Sequence, residues 1–456
     1  MQRGMAGPDV DTPEPVTTPA RDPELSLVIP CFREESHLAA NLDELVATMA
    51  MTDITYEIIL VDDCSPDRTR DVMRAAAERH APRVRCAFHE RNTGRGGAVK
   101  TGLGLARGRI AGFLDIDLEV HCRYIPSMVR LVRDGADIAC AYRIYTVPLT
   151  FDDIFRDLLS VGYRYLIRLL LRIGVSDTEA GYKFFNLKRV APLVAVTQSD
   201  GWFWDTEIMA LGAYRGFRIR ELPVVYIRNA DKETTVRPLR DAVESFKCLW
   251  AFRARTRPGL IYRHGGLYHR AMARLYRGAY RERFEAIARE VPEGAQVLDV
   301  CCGDAHLFDA YLRHKTTSYT GLDIAPALVA RARSRGMDVR VCDIELMDLP
   351  AQADTVILQG SLYQFMPGHD AVLRKLLAAA RDRVILTEAV SNWSGGHSAL
   401  KNRLARALTN PGTGPKTERF TPESLDAFMK TCKVLKKESI CGGREMLYVL
   451  DARREP

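Results

Sequence analysis

The chain has 456 residues, of which 47% are hydrophobic and 27% are charged, so a disordered or fibrous protein is excluded and two or three globular domains are expected. Its formal net charge of +7 suits phosphorylated substrates and does not by itself indicate a nucleic-acid-binding protein. Eleven cysteines without a C-x-x-C pair argue against a structural zinc site and a disulfide framework, and they indicate a reducing cytosol.

Residues 1–24 are predicted to be a disordered lead. They contain five prolines and lack the apolar core of a signal peptide. No later segment reaches the ~18 uninterrupted apolar residues of a membrane span. We therefore expect a cytoplasmic protein.

Three strand-and-helix units follow the lead. Helices are predicted near Glu35–Met51, after Thr69 and after Gly97, because apolar side chains recur there at helical spacing. Such units form a parallel α/β sheet, which binds ligands at the carboxyl ends of its strands. Each predicted strand runs into acidic residues: Leu27–Ile29 into Glu34, Ile58–Val61 into Asp62 and Asp63, and Ile110–Leu114 into Asp115 and Asp117.

The pair Asp115 and Asp117 is the most informative feature of the chain. Residues two apart in a strand share a face, and two carboxylates at the end of a buried strand can hold one divalent cation against a diphosphate. A D-x-D pattern alone is a weak signal, because Asp pairs are common in loops. Here the two neighbouring strands that end in acids support it.

A series of motifs follows in a fixed order along this part of the chain. They are Val28–Glu35, Val61–Asp67, Asn92–Gly96, Asp115–Leu118, Ala141–Arg143, Asp177–Phe185 and Trp204–Glu207. Their order resembles the family 2 glycosyltransferases of the GT-A fold, and within them the dolichyl-phosphate mannose or glucose synthases. The resemblance runs from about Leu25 to about Arg257. Cys64 stands where the family usually has glycine, and Ile116 stands where it usually has alanine.

This resemblance implies a metal-dependent, inverting transfer of a sugar from a nucleotide-sugar to a phosphorylated acceptor, a polyprenyl phosphate included. Asp115 and Asp117 would hold Mg²⁺ or Mn²⁺, which would stabilise the leaving diphosphate. Arg143 would meet the acceptor phosphate, with Arg228 as a further candidate. A phosphate dianion is already a nucleophile and needs no general base. Asp205 joins Asp115, Asp117 and Arg143 as an implied catalytic residue, and the implied donor-binding residues are Pro30, Phe32, Glu34, Val61, Asp63, Arg95, Ile116 and Arg228.

Several of these features have structural alternatives. Asp62 is as well explained by capping a turn. The aromatic run Trp202–Trp204 is expected chiefly in the core, with an acceptor-facing wall as the alternative. Gly94–Gly97 is an incomplete dinucleotide fingerprint, which the glycosyltransferase resemblance explains better.

The helix predicted over Pro238–Arg257 carries an apolar stripe followed by arginines. Such a helix can lie on an anionic membrane surface, which would make the protein peripheral to the inner face of a membrane. Packing of the stripe on its own domain is the favoured alternative. The stripe consists of Leu239, Val243, Phe246 and Trp250.

The pattern restarts after residue 258. Val297–Val300 is a strand that contains Asp299 and leads into a tight turn and a helix, and Asp323 ends a second strand about twenty residues on. An acid at that position can accept hydrogen bonds from a ribose diol. This order resembles a class I S-adenosylmethionine-dependent methyltransferase over residues 258–456.

That second resemblance implies the cofactor S-adenosyl-L-methionine. Only the middle glycine of the family's three-glycine turn is kept, because Cys301 and Ala305 flank Gly303. A non-catalytic nucleoside-binding or scaffold domain is therefore the alternative. The implied cofactor-binding residues are Asp299, Gly303, Asp323, Ile324, Asp343 and Ile344.

The sequence thus predicts an α/β protein with a GT-A glycosyltransferase domain at 25–257 and a Rossmann-like class I methyltransferase domain at 258–456. We expect a bifunctional enzyme whose partners are a nucleotide-sugar and an acceptor, without nucleic acid. Its second activity would methylate a related substrate.

Overall fold

A computed structural model of the chain describes residues 22–145, 162, 164–227, 238–256, 274, 279–349, 352–390 and 418–453. Most of the predicted lead, residues 1–21, lies outside the described residues, as does Arg228. The chain divides into two compact units, Met1–Arg253 and Ala254–Pro456.

The first unit is built on a seven-stranded sheet in which one strand runs against the others. The strand order is β3-β2-β1-β4-β6-β5-β7, and β6 is antiparallel to both of its neighbours. The strands are β1 (Leu25–Cys31), β2 (Tyr56–Asp62), β3 (Val84–Phe88), β4 (Ile110–Leu114), β5 (Ile138–Tyr145), β6 (Tyr182–Asn186) and β7 (Ile219–Tyr226).

Helices cover this sheet, whose central strands are apolar because both of their faces are buried. All five residues of β4 are buried, for example. The helices are α1 (Leu38–Ala50), α2 (Thr69–Arg79), α3 (Arg95–Leu105), α4 (Ile125–Arg133), α5 (Leu187–Ala195), α6 (Trp204–Arg215) and α7 (Pro238–Thr256).

Two details of the first unit differ from the sequence predictions. Helix α3 already begins at Arg95, whereas the sequence predicts its start after Gly97. The stripe on α7 does not pack on its own domain, because Val243, Phe246 and Trp250 are 56%, 46% and 59% exposed. The opposite face of α7 packs instead, through the buried Leu249 and Phe252. The side chain of Leu239 lies outside the described residues.

The second unit contains another seven-stranded sheet, with the order β10-β9-β8-β11-β12-β14-β13. β8 to β12 are parallel, and β14 alone runs against its neighbours. The strands are β8 (Gln296–Val300), β9 (Ser318–Asp323), β10 (Val339–Val341), β11 (Ala353–Gln359), β12 (Ala380–Ala389), β13 (Val434–Ile440) and β14 (Glu445–Asp451).

This strand order, with a reversed last strand inserted beside β12, is that of a Rossmann-like class I methyltransferase. The predicted fold class, two α/β domains of the GT-A and class I methyltransferase types, is confirmed. The helices of the second unit are α8 (Tyr280–Glu290), α9 (Pro326–Arg333), α10 (His369–Ala379) and α11 (Pro422–Met429).

Candidate functional site

The antiparallel strand β6 determines what lies beside Asp115. Leu114 at the end of β4 pairs with Tyr182 at the start of β6, so Gly181 faces the D-x-D segment. A Cβ atom on Gly181 would lie 2.0 Å from Asp115 Oδ2 and 2.4 Å from Arg95 Nη2. The absence of a side chain at Gly181 therefore allows the Asp115 carboxylate and the Arg95 guanidinium to lie against the backbone there.

Arg95 connects the D-x-D segment to the core of the unit. Its Nε donates to Asp115 Oδ1 over 2.9 Å, and its Nη1 pairs with Asp205. Lys183, which is fully buried, reaches the other Asp205 oxygen over 2.5 Å. Asp205 is only 2% exposed and is held between two cations. It is therefore placed to act through Arg95 and not as a free base.

The donor set of Asp115 and Asp117 fits a hard divalent cation. Two carboxylates supply the oxygen ligands that Mg²⁺ and Mn²⁺ prefer. Burial and repulsion from Asp117 and Asp205 raise the pKa of Asp115 against the opposing effect of Arg95. A cation bound by both carboxylates would relieve this repulsion.

Asp63 organises the turn before α3. Its Oδ1 accepts from the backbone N–H of Thr93 over 2.7 Å and lies 2.8 Å from His89 Nδ1, while its Oδ2 accepts from the Gly94 N–H over 2.7 Å. Burial raises the pKa of Asp63, but these hydrogen bonds outweigh it and lower the pKa below the ordinary value. Asp63 thus holds the turn that presents Arg95.

Asp62 has a structural role in a turn, and the aromatic run lies in the core with the exception of Trp202. Asp62 is fully buried, accepts from the Ser65 N–H and pairs with Arg70 over 2.7 Å. Phe203 and Trp204 are core residues, whereas Trp202 is 47% exposed. The Trp202 ring lies 5.3 Å from the Arg95 guanidinium, at the edge of the site.

The remaining implied donor residues lie at or just after the carboxyl ends of β1, β2 and β4. The Arg33 N–H donates to Ser65 Oγ and the Glu34 N–H to Thr69 Oγ1, so the loops after β1 and β2 are joined. Val61 and Ile116 are buried with their side chains in the core. Pro30, near the end of β1, and Phe32, just after β1, are partly exposed.

Arg143 lies on β5 beside two carboxylates. Its Nε and Nη2 donate to Asp177 over 2.7 and 3.0 Å, and its Nη2 is 3.7 Å from Glu179. Its guanidinium lies over the Tyr226 ring at 5.6 Å, and the Tyr226 hydroxyl donates to Glu119. Tyr226 therefore connects Arg143 to the segment that follows Asp117.

Sequence reasoning missed Asp177, Glu179 and Lys183 as members of this site. All three belong to the Asp177–Phe185 motif, whose position was recognised without roles for its residues. Burial raises the pKa of Glu179 to about 7 despite the opposing effect of Arg143. The sequence feature that could have identified these three residues is a motif rich in charged residues next to a glycine.

The turn after β8 keeps the backbone of a three-glycine turn with only one of the glycines. Cys301, Gly303 and Ala305 have φ angles of 59°, 62° and 58°. This left-handed region is unfavourable for cysteine and alanine by about 1–2 kcal/mol per residue. The rest of the fold therefore imposes this turn geometry on two residues that disfavour it.

Asp323 stands at the end of β9, directly opposite this turn. Its two oxygens accept from the Gly303 and Ala325 N–H groups over 2.8 Å each. Burial raises its pKa to about 6. The carboxylate is thereby fixed at the mouth of the turn, and each oxygen has a second lone pair for a ribose hydroxyl. These residues fit S-adenosylmethionine.

Three of the other implied cofactor residues, Asp299, Asp343 and Ile344, are buried more deeply than Asp323. Asp343 accepts from the Glu345 N–H over 3.0 Å and is 2% exposed, and Ile344 is 4% exposed. Asp299 is fully buried under the turn, where it accepts from Gln359 and from the Tyr319 hydroxyl. Burial raises its pKa to about 7. Ile324, beside Asp323, is partly exposed.

Sequence reasoning also missed Glu388 at the end of β12. It is fully buried, and its carboxylate oxygens accept from the backbone N–H groups of Tyr363 and Ala389. Burial raises its pKa to about 8. The sequence feature that could have identified Glu388 is an acid at the end of an apolar strand.

In the described parts of the chain, no helix combines the length and the apolar character needed to cross a bilayer.

Comparison with protein families gives one match in each unit. Residues 26–190 match the model described as "Glycosyl transferase family 2", and residues 281–436 match the model "Methionine biosynthesis protein MetW". The N-terminal half thus contains a family 2 glycosyltransferase domain, and the second match is methyltransferase-like.

Individual relatives match the first unit. Glycosyltransferase AglD of Haloferax volcanii is 30% identical over 231 residues, which are 50% of this chain and 36% of the relative. The dolichyl-phosphate beta-glucosyltransferase of Drosophila melanogaster is 30% identical over 41% of this chain and 62% of the relative. The human protein of that name is 27% identical over 44% of this chain and 66% of the relative. The chain thus spans less than two thirds of the length of these relatives.

Among solved structures, glucosyl-3-phosphoglycerate synthase from Mycobacterium tuberculosis in complex with phosphoglyceric acid aligns with a TM-score of 0.37 at 18% identity. The alignment covers 50% of this chain and 78% of that chain.

Proposed function

We propose that the first unit is a metal-dependent, inverting glycosyltransferase that moves a sugar from a nucleotide-sugar to a phosphorylated acceptor such as a polyprenyl phosphate. The observation that carries this proposal is the position of Arg143 relative to the D-x-D pair. Both lie at one edge of the sheet, and Tyr226 bridges them through Arg143 and Glu119. This arrangement supports a cation site for a diphosphate and a cationic site for an acceptor at the same edge of the sheet.

The residues of the chain divide the work between donor and acceptor. Asp115 and Asp117 would hold Mg²⁺ or Mn²⁺, which as a Lewis acid stabilises charge on the departing diphosphate. Arg95, fixed by Asp205, sets the orientation of the Asp115 carboxylate. Arg143 would orient the acceptor phosphate, whose oxygen attacks the anomeric carbon. Preorganised charges of this kind cost little reorganisation during reaction.

A panel of nucleotide-sugars tests this proposal. Purified protein with Mn²⁺ is incubated with each donor and farnesyl phosphate, and release of nucleoside diphosphate is measured together with the anomeric configuration of the product. Farnesol replaces farnesyl phosphate in the matched control. We expect inverted product with the phosphate alone. Transfer to the alcohol at the same rate would contradict a phosphate acceptor.

We propose that the second unit binds S-adenosylmethionine and methylates a substrate related to the glycoside. Asp323 and the left-handed turn at Cys301 support cofactor binding. The alternative is a nucleoside-binding module without methyl transfer, for which the lost glycines are the supporting observation. Incubation with methyl-labelled cofactor and the glycosylated product distinguishes an active methyltransferase from a binding module, because only an active domain transfers the label.

We also propose that α7 rests on a membrane surface near a lipid acceptor. Its exposed side chains Val243, Phe246 and Trp250 form an apolar face, and Arg253 and Arg255 follow. Apolar area and cationic residues together favour anionic lipid surfaces. Sedimentation with anionic vesicles should carry the protein down, and Trp250→Ser should reduce it. Equal sedimentation of both proteins would contradict this contact.

A further inference from the structure

Arg143 is flanked by two carboxylates in different environments. The Asp177 side chain is fully buried and makes both short hydrogen bonds to the guanidinium. The Glu179 side chain keeps 33% of its surface exposed and lies farther off, at 3.7 Å. Asp177 is thus the fixed partner of Arg143, and Glu179 is a second carboxylate that is partly open to solvent.

The charge state of Glu179 affects how strongly the Arg143 guanidinium attracts an anion. Burial raises the pKa of Asp177, but Arg143 outweighs this and lowers it, so Asp177 stays ionised. Among the described residues, the charged groups that face Glu179 include Arg143 on β5, Asp177, Arg164 in the helical stretch 164–171 and Asp205 on α6. An ionised Glu179 would place a second negative charge beside Arg143, where the acceptor phosphate has to bind.

We propose that Glu179 binds the acceptor phosphate in its protonated form, donating a hydrogen bond to a phosphate oxygen beside Arg143, and that its ionisation weakens acceptor binding. This inference rests on the proposed function, since it takes the acceptor to be a phosphate. It deepens that function by assigning a specificity-determining residue on the acceptor side.

The pH dependence has a defined sign. The carboxyl group of Glu179 titrates near pH 7, so below that pH it is a neutral donor and above it a competing anion. A phosphate monoester gains its second charge near pH 6, which alone would strengthen binding to arginine as pH rises. As pH rises, ionisation of Glu179 weakens acceptor binding and ionisation of the phosphate strengthens it. A variant with a neutral residue at position 179 shows the effect of the phosphate alone.

The experiment measures binding of farnesyl phosphate by calorimetry between about pH 6 and pH 9, without donor. Wild type is compared with Glu179→Gln, which mimics the protonated carboxyl group at every pH, and with Glu179→Asp, which keeps a titrating acid. Glu78→Gln on α2 removes an exposed carboxylate at the far edge of the sheet and serves as the control.

We expect Glu179→Gln to equal wild type near pH 6 and to bind roughly tenfold more tightly near pH 9, where one unscreened negative charge has been removed. The KM for farnesyl phosphate should follow the same pattern, while kcat and donor KM change little. Glu179→Asp should retain a pH dependence, and Glu78→Gln should match wild type throughout.

The possible results distinguish the role of Glu179 from the assignment of a phosphate acceptor. Parallel binding curves for wild type and Glu179→Gln would overturn the role of Glu179 and leave a phosphate acceptor standing. No binding of farnesyl phosphate at any pH, with donor cleavage by water still measurable, would overturn the acceptor assignment itself. Circular dichroism and nucleoside diphosphate binding establish that each variant is folded.

Discussion

At the scale of single residues, the space around Asp115 depends on Gly181. An added methyl group at this position would overlap both Asp115 Oδ2 and Arg95 Nη2. These two side chains cannot move aside easily, because Arg95 is fixed by its ion pair with Asp205. Gly181 therefore has a steric role in the site, and its motif is required for more than strand formation.

The first prediction concerns Asp117. Asp117→Ala should abolish sugar transfer and Mn²⁺ binding, because an unneutralised diphosphate is a poor leaving group. The fold should survive, since Asp117 repels Asp115 when no cation separates them. Nucleoside diphosphate release and calorimetric titration with Mn²⁺ measure the two losses. Asp71→Ala on the exposed face of α2 is the control, and full activity in Asp117→Ala or in excess chelator would refute the metal role.

The second prediction concerns Arg143. Arg143→Gln removes the charge but keeps a hydrogen-bond donor for the buried Asp177. A charge-assisted hydrogen bond contributes roughly 1.5–3 kcal/mol, so acceptor kcat/KM should fall by about one to two decades. Donor KM should stay near the wild-type value. Arg130→Gln, an exposed arginine on α4, is the matched control. Unchanged acceptor kinetics would argue that Arg143 is structural.

At the scale of elements, turns that other sequences build with glycine are built here with larger residues. Cys64 after β2 and Cys301 after β8 have φ angles of 61° and 59°. Both turns lie at the carboxyl ends of parallel strands, where backbone has to approach a ligand closely. Retention of this geometry despite the residue type is evidence that both loops are functional.

The third prediction follows from this backbone. Cys301→Gly should be more stable than Cys301→Ala by about 1 kcal/mol, because only the alanine retains a Cβ in the left-handed region. Both variants lack the thiol, so the comparison isolates the backbone. In helix α9, Ala330→Gly should instead lose about 1 kcal/mol. Urea denaturation gives the free energies of unfolding. Equal stability of the two variants at position 301 would contradict an imposed left-handed turn.

At the scale of the whole molecule, two units with separate sheets and separate cores are joined in one chain. Each has its own cluster of carboxylates at the carboxyl ends of its strands. The two chemistries are therefore expected to fail independently when one cluster is altered.

The fourth prediction tests this independence. Asp323→Ala should remove most S-adenosylmethionine binding, because a charge-assisted contact to a ribose diol is worth on the order of 2–3 kcal/mol. Sugar transfer by the same variant should continue at the wild-type rate. Calorimetry and nucleoside diphosphate release on the intact protein measure both. Wild-type protein that binds no cofactor would favour the non-catalytic alternative, and loss of transfer in Asp323→Ala would contradict independent units.

The sequence by itself determined the two α/β domains, the acid-ended strands and the D-x-D segment. These features depend on local periodicity and on the order of motifs, and both are visible along the chain itself. Asp115, Asp117 and Asp323 were found because each directly follows or ends an apolar strand.

Only the tertiary structure decided which charges meet. Asp205 lies 110 residues from Arg95 in the chain, and their ion pair buries a carboxylate that the sequence suggested as catalytic. Glu179 reaches Arg143, and Gly181 reaches Asp115, because β6 runs antiparallel beside β4 and β5. The exposed face of α7 was likewise undetermined, since periodicity shows that a stripe exists and not what it contacts. Register and burial are long-range properties, so the roles of Asp205, Glu179 and Gly181 could not be read from spacing along the chain.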